Sequence, residues 1–388
     1  MSSFLCRVRL RGLSLLATSL LLAAAGKAGA QPPTLVLLDP LGGNSSTAAA
    51  INNAGVVVGT STTGVTGPSH ATRWDSSGTA TDLDPLGRFS SDAVAINDAG
   101  VAVGNAVFSG NLQHAAVWSA NGTATDLGTL PPSGPLGPLN NSNAYGINNA
   151  GIVAGTSTST GFNASYRPLT WNGTTATDLG GANLSQATAI NDAGVVAGWS
   201  FVAGTTHATL WAGAGPPIDL GAPGGSGSQA FAINDGGMVV GYIGGAGFAH
   251  ATAWTAGGTV IDLGTLGGTQ SFASSVNEAG AVVGNSYTTG DLARHATLWS
   301  NGSIIDLNSF LTASEMSAGW VLEGANDIND QGEVVGTAFN TLSQSFRGFE
   351  LTVTPVPEPG TYALMLAGLS VVGFVGRRRR VAARPTER

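Results

Sequence analysis

The chain has 388 residues, 58 of them glycine, while charged side chains make up only 10% and the net charge is −8. Glycine so far above the usual ~7%, with many short valine runs, argues for one regular domain of short strands and tight turns. The acid excess excludes nucleic acid and anionic lipid headgroups as natural partners.

In chain order the first element is residues 1–30. Arg7, Arg9 and Arg11 precede an apolar run from Leu13 to Ala25, and Ala28-Gly29-Ala30 supplies small residues. This is the pattern of a secretory signal peptide, cut after Ala30 by signal peptidase. Cys6 lies inside it, so the exported chain is expected to hold no cysteine and no disulfide.

Residues 31–354 repeat. The motif Ile-Asn-x-x-Gly-x-Val-Val-Gly starts at Ile51, Ile96, Ile147, Ile190, Ile233, Val276 and Ile328, at intervals of 45, 51, 43, 43, 43 and 52 residues. His-Ala-x-x-Trp follows at His70, His114, His207, His250 and His295, and a further copy keeps Trp171 with Arg167 at the histidine position. An Asp-Leu-Gly variant comes third, at Asp82, Asp126, Asp178, Asp219, Asp262 and Asp306. These three motifs, in this order, resemble the HAF family of extracellular repeats.

Each period predicts four strands, as in Ala230 to Asn234, Met238 to Tyr242, His250 to Trp254 and Val260 to Leu263. Four antiparallel strands in about 43 residues is the size of a propeller blade. The expected fold is therefore an all-β, seven-bladed β-propeller. Thr34 to Leu38 aligns with a fourth strand, since Leu38-Asp39-Pro40-Leu41-Gly42 matches Leu83-Asp84-Pro85-Leu86-Gly87. Phe346 to Thr352 aligns with a third strand that no fourth one follows. Pairing the N-terminal and C-terminal strands would complete the last blade and remove both exposed edges.

Residues 355–380 differ again. Val356-Pro357-Glu358-Pro359-Gly360 leads into an apolar stretch from Thr361 to Gly376, ended by Arg377, Arg378, Arg379 and Arg380. A short transmembrane helix is expected there, with the arginines and residues 381–388 on the cytoplasmic side. Pro-Glu-Pro, helix and arginine cluster resemble the PEP-CTERM sorting signal. The resemblance implies processing by exosortase at the cytoplasmic membrane of an exopolysaccharide-producing Gram-negative bacterium, then delivery to the cell surface or beyond. Without the two ends, residues 31–354 carry five arginines, no lysine and 21 acids, a net of −16.

All five histidines share one repeat position, and six aspartates share another. A catalytic group is needed once, whereas a structural bond is needed in every repeat. Each histidine is therefore read as the hydrogen-bond partner of the aspartate in its own repeat, with Arg167 serving Asp178 in the same way. The repeated tryptophans read as wedges between blades. Asp98, Asp192, Asp235 and Asp330 follow the motif asparagine and raise a calcium alternative. Calcium takes about six to eight oxygens, and Asn53, Asn149 and Glu278 interrupt the column. A turn-stabilising role is the expectation, with no cofactor.

Loops after strands two and four share one face and carry the length variation, including Pro131 to Leu139 and an insertion from Asn308 to Glu323. Trp199, Phe201, Tyr242, Phe248, Tyr287 and Trp320 are read onto these loops as a candidate ligand face for stacking on sugars, against local packing as the alternative. The expected function is non-enzymatic, at the cell surface or in the extracellular matrix, with exopolysaccharide or a surface protein as ligand. A propeller glycan lyase or hydrolase is one alternative, with Glu315, Glu323 and Asp327 as its candidate acids. A purely structural coat protein is another.

Overall fold

The computed structural model describes residues 33–84, 90–108, 112–120, 122–131, 141–158, 166–182 and 184–353. The signal segment with Ala30, and the sorting segment with Pro357, Glu358, Pro359 and Arg377 to Arg380, lie outside the described residues. Among the described residues no helix is long and apolar enough to cross a membrane.

The described chain is all-β, an array of four-stranded antiparallel sheets. The fifth repeat shows the plan: Gly227–Ile233, Val239–Gly245, Phe248–Trp254 and Val260–Asp262 pair in sequence. A single parallel bridge, Ala249 to Gln270, joins this quartet to the next into one eight-stranded sheet. The N-terminal strand Thr34–Leu38 pairs antiparallel with Ser345–Thr352, from Thr34 opposite Thr352 to Leu38 opposite Gly348.

The motif residues explain the sheet. In strand one the ladder slips by one residue, at Ala48/Ala50 in the first repeat and at the same place in the others. The slip is a β-bulge, which bends the strand toward its partner. At Gly59, opposite it, an added Cβ would lie 2.0 Å from the Thr47 carbonyl oxygen, so only glycine fits. That close approach accounts for the last residue of Val-Val-Gly. The earlier glycine of the motif, Gly55 in the first copy, sits at φ 73°, where the turn needs a residue without Cβ.

The core lies between successive sheets. Trp118 packs with Val58, Ala71 and Leu83 of the preceding repeat, and Trp171 with Val103, Ala115 and Leu127. Trp74 packs with Leu38 and Val335, which belong to the sheet holding the C-terminal strand. A serine the motifs did not single out adds a polar tie. Ser91 Oγ accepts from Ala71 N at 3.0 Å and Ser142 Oγ from Ala115 N at 2.9 Å, each reaching back one repeat. Ser46 makes the corresponding bonds to Gly348 N and Leu38 O, at 3.1 and 2.6 Å.

Length does vary after strand two, down to a two-residue turn: Val196–Val202 turns into Thr205–Trp211 through Ala203 and Gly204 alone, both at positive φ. That is the geometry of a tight hairpin following the strand twist. One expectation needs correction: the insertion from Asn308 to Glu323 is no open loop. It contains a 3₁₀ turn at Leu307–Phe310 and a helix at Ala313–Ser317, then enters the strand Trp320–Ile328.

Candidate functional site

Strand one ends at the motif asparagine, whose carboxamide works in two directions. Its Oδ1 accepts from the backbone N–H four residues on, as Asn52 does from Val56 at 2.9 Å, which closes the turn within the repeat. Its Nδ2 donates to the carbonyl of the next asparagine, Asn52 to Asn97, then to Asn148, Asn191, Asn234, Asn277 and Asn329, at 3.0–3.2 Å. Asn329 donates to Asn52, so the series returns to its start. The carboxamide supplies both a donor and an acceptor, which an ionised carboxylate does not. Aspartate would leave each carbonyl without its donor.

The next residue completes a second series. The backbone N–H of Asn53 donates to Asp98, that of Asp98 to Asn149, and so on through Asp192, Asp235, Glu278 and Asp330, whose N–H donates to Asn53. These bonds span 2.7–3.0 Å. An acceptor oxygen is all this position requires, so Asn, Asp and Glu interchange. The acids expected to steady their own turns instead receive the N–H of the neighbouring turn.

Both series surround a cavity of about 310 Å³ to which every repeat contributes. Small residues such as Ala189 and Ala232 form its wall, and the seventh repeat breaks the pattern with Asp327. The Asp327 carboxylate accepts from Ser275 Oγ at 2.6 Å, Ile51 N at 2.9 Å and Ile328 N at 2.9 Å. One side chain thus joins the sixth, seventh and first repeats. Burial pushes its carboxyl up to about 6, against the downward pull of those three bonds. Among the described residues no group of three or more His, Cys, Asp or Glu is arranged to hold a metal ion.

Each histidine meets the aspartate of its own repeat through Nδ1: His70–Asp82 and His114–Asp126 at 2.9 Å, His207–Asp219 and His250–Asp262 at 2.8 Å, His295–Asp306 at 2.7 Å. Arg167 pairs with Asp178 in the same place. The other aspartate oxygen accepts from the N–H two residues on, as Asp82 does from Asp84 and Asp262 from Gly264, both at 2.8 Å. The aspartate therefore fastens its own loop and strand three together. Burial is uneven: the His70 side chain is 6% exposed, that of His250 32% with Asp262 at 62%. His70→Ala is accordingly expected to cost about 1–3 kcal/mol, since it strips a partner from a shielded carboxylate. His250→Ala should cost under about 1 kcal/mol, because solvent compensates. Chemical unfolding of the two variants tests this, and equal losses would contradict it.

All six aromatics assigned to loops lie in strands: Trp199 and Phe201 in Val196–Val202, Tyr242 in Val239–Gly245, Phe248 in Phe248–Trp254, Tyr287 in Val282–Thr288 and Trp320 in Trp320–Ile328. They do not form one surface. Tyr242 is packed between Phe231 and Phe272, with ring centroids 5.7 and 5.2 Å away. Trp320 leans on the core of the last repeat. Phe201 and Phe248 stand open to solvent, as do Tyr166 and Phe346. Phe346 was hidden in the sequence because it falls inside an expected strand.

The three acids considered for catalysis are each engaged separately. Glu315 closes a capping box with Thr312, Glu323 faces Arg294 at 3.3 Å, and Asp327 is held as described.

Residues 355–380 match the PEP-CTERM protein-sorting motif. The chain thus carries the signal of an exported, exosortase-processed protein that passes through the membrane. No curated protein matches it. Among solved structures it is similar to TolB from Acinetobacter baumannii, at 11% identity and TM-score 0.41, over 74% of this chain and 60% of that one. It is also similar to the β-propeller domain of the trilobed protease from Pyrococcus furiosus, at 10% identity and TM-score 0.46, over 66% and 79%. A puromycin-hydrolysing peptidase from Mycobacterium tuberculosis is similar at 13% identity and TM-score 0.45, over 69% and 45%. The chain therefore spans less than two thirds of the TolB and peptidase chains, and no activity is carried over from any of them.

Proposed function

We propose that the exported part is a closed, seven-bladed β-propeller of HAF-type repeats that acts without catalysis at the cell surface or in the extracellular matrix. In this reading it holds exopolysaccharide or a surface protein. The observation that carries the closed ring is the pair of hydrogen-bond series returning from the seventh repeat to the first. Pairing of Thr34–Leu38 with Ser345–Thr352 supports it, because the outer strand missing from the last repeat is supplied by the start of the chain. Non-enzymatic action is supported by repetition. The same His–Asp fastening recurs in repeat after repeat, and Glu315, Glu323 and Asp327 are each committed to a structural bond.

The test is a pull-down of the producing strain's own exopolysaccharide, run beside a depolymerisation assay. Binding without chain shortening is expected. Shortening would establish the lyase or hydrolase reading, and absence of both would leave a structural coat protein. The division between ring and sorting tail has its own test. A chain ending at Thr354 is expected to melt with the full chain's profile but to escape normal sorting. Replacing Pro357, Glu358 and Pro359 should leave a longer form in the cytoplasmic membrane. Failure of the shortened chain to fold, or normal processing of the substituted motif, would defeat this assignment.

A further inference from the structure

The exposed aromatics share a place in the ladder. In each repeat one cross-strand pair lies immediately outward of the histidine or arginine position, toward the hairpin between strands two and three. That pair is Thr62 with Ser69 in the first repeat and Val107 with Gln113 in the second, with no aromatic ring. It is Thr158 with Tyr166 in the third, Phe201 with Thr206 in the fourth, Tyr287 with Arg294 in the sixth and Phe339 with Phe346 in the seventh. In the fifth, Phe248 sits one residue further out. Partners across an antiparallel pair project from the same face of their sheet. The third, fourth, sixth and seventh repeats therefore present a ring at the same ladder position, whereas Phe248, one residue further out, projects from the other face of its sheet, beside His250. Tyr166, Phe201, Phe248 and Phe346 are 36–41% exposed.

Thr158 and Thr206 stand directly opposite Tyr166 and Phe201, so a hydroxyl flanks each of these two rings, while Arg294 faces Tyr287 and Phe339 faces Phe346. Rings set one position to a repeat do not make the continuous apolar centre that a protein interface buries. They match a linear chain whose successive units each offer a C–H face to a ring and hydroxyls to its neighbours. Charge narrows the class further. At this end Arg167 is paired with Asp178, Arg294 with Glu323 and Arg347 with Asp39, while Arg73 donates to the carbonyls of Ala120 and Gly100. No described arginine is left over to anchor an anion, and residues 31–354 contain no lysine.

We infer that the aromatic rings held at this position in the third, fourth, sixth and seventh repeats bind a polysaccharide that lacks carboxylate, sulfate and phosphate groups. The inference rests on the proposed ligand-holding role and names the ligand class for it. The test is native affinity electrophoresis of the purified full chain in gels cast with neutral glycans (glucomannan, hydroxyethylcellulose, dextran) or with alginate. At least one neutral glycan should retard the protein and alginate should not. The triple variant Tyr166→Ala, Phe201→Ala, Tyr287→Ala should weaken that retardation by about tenfold or more. If the triple variant melts early, Phe201→Ala alone is read, with a smaller loss expected. Retardation by alginate alone, by no neutral glycan, or undiminished in the variants would overturn the inference. If the strain's own exopolysaccharide is captured and proves rich in uronate, the ligand-holding role stands while this assignment of class falls.

Discussion

Deleting Thr34–Leu38 is expected to lower the stability of the protein by about 4–6 kcal/mol and to make it aggregate. Leu38 is fully buried against Trp74 and Val335, and Leu35 and Leu37 pack on the core of the last repeat. One fully buried leucine is worth about 1.5–3 kcal/mol and a half-buried one correspondingly less. The Leu38 carbonyl also receives the Ser46 hydroxyl, which would be left buried without an acceptor, at a cost of about 1 kcal/mol. The strand Ser345–Thr352 would become an open edge with a free row of N–H and C=O groups. Against the usual total of about 5–15 kcal/mol, such a loss should lower the melting temperature by roughly 10 °C. Light scattering during the melt should report association. A synthetic peptide spanning residues 34–40, added in excess, should restore part of the loss by refilling the edge. A shortened chain that melts with the full-length profile and stays monodisperse would mean that the terminal pairing contributes little.

The pairing of the two chain ends was legible because it depends on counting. Leu38-Asp39-Pro40-Leu41-Gly42 aligns with Leu83-Asp84-Pro85-Leu86-Gly87, and one outer strand is missing where the other is surplus. The histidine and aspartate positions were legible for the same reason, since a pair recurring at one spacing points to one bond. The asparagine series was not. Its acceptors are main-chain carbonyls 43 to 52 residues away in most links, and a carbonyl leaves no mark in a sequence. The bulge in strand one was hidden likewise, although its consequence, the fixed glycine of Val-Val-Gly, stood in plain view.

Assigning the aromatics to loops failed because hairpin length depends on backbone twist. Ala203, at φ 50°, is not a residue that announces a left-handed turn. The short helix at Ala313–Ser317 did carry a signal, since Thr312-x-x-Glu315 is a capping box readable from residue order alone. What a ligand face requires is residues in register across repeats. That becomes visible only once the strand pairings are known.

The last repeat should also make the protein's stability depend on pH, in the direction opposite to ordinary acid denaturation. Glu350 lies in Ser345–Thr352, opposite Val36 on one side and Val335 on the other. Burial, with the Glu333 charge added, pushes its carboxyl up to about 7, and burial pushes Asp327 up to about 6. Both folded values exceed the ordinary 4.5 and 3.8 of the unfolded chain. The folded state therefore binds more protons than the unfolded one between about pH 4 and 7. The stabilisation is complete below about pH 4 and is lost as pH rises through 6 and 7.

At 1.36 kcal/mol per unit the two shifts are large. However, Asp327 borders the cavity and is not fully covered, and Glu350 is only partly covered. Solvent screening reduces the combined effect to about 2–4 kcal/mol. Asp306 acts the other way. Burial raises its carboxyl, but the bonds from His295 and Asn308 outweigh that and hold it below its ordinary value. Its contribution is lost only when pH falls below the usual carboxylate range, so it leaves the window from pH 5.5 to 8 untouched. Melting temperature should accordingly rise as pH is lowered from 8 to 5.5. Glu350→Gln removes the like-charge contact with Glu333 and keeps the side-chain shape. It should raise the melting temperature most at pH 8 and less at pH 5.5, flattening the profile between, with Asp327 supplying the remaining slope. A wild-type profile that is flat over this window, or a Glu350→Gln variant with the full wild-type slope, would show that these carboxyls titrate at ordinary values.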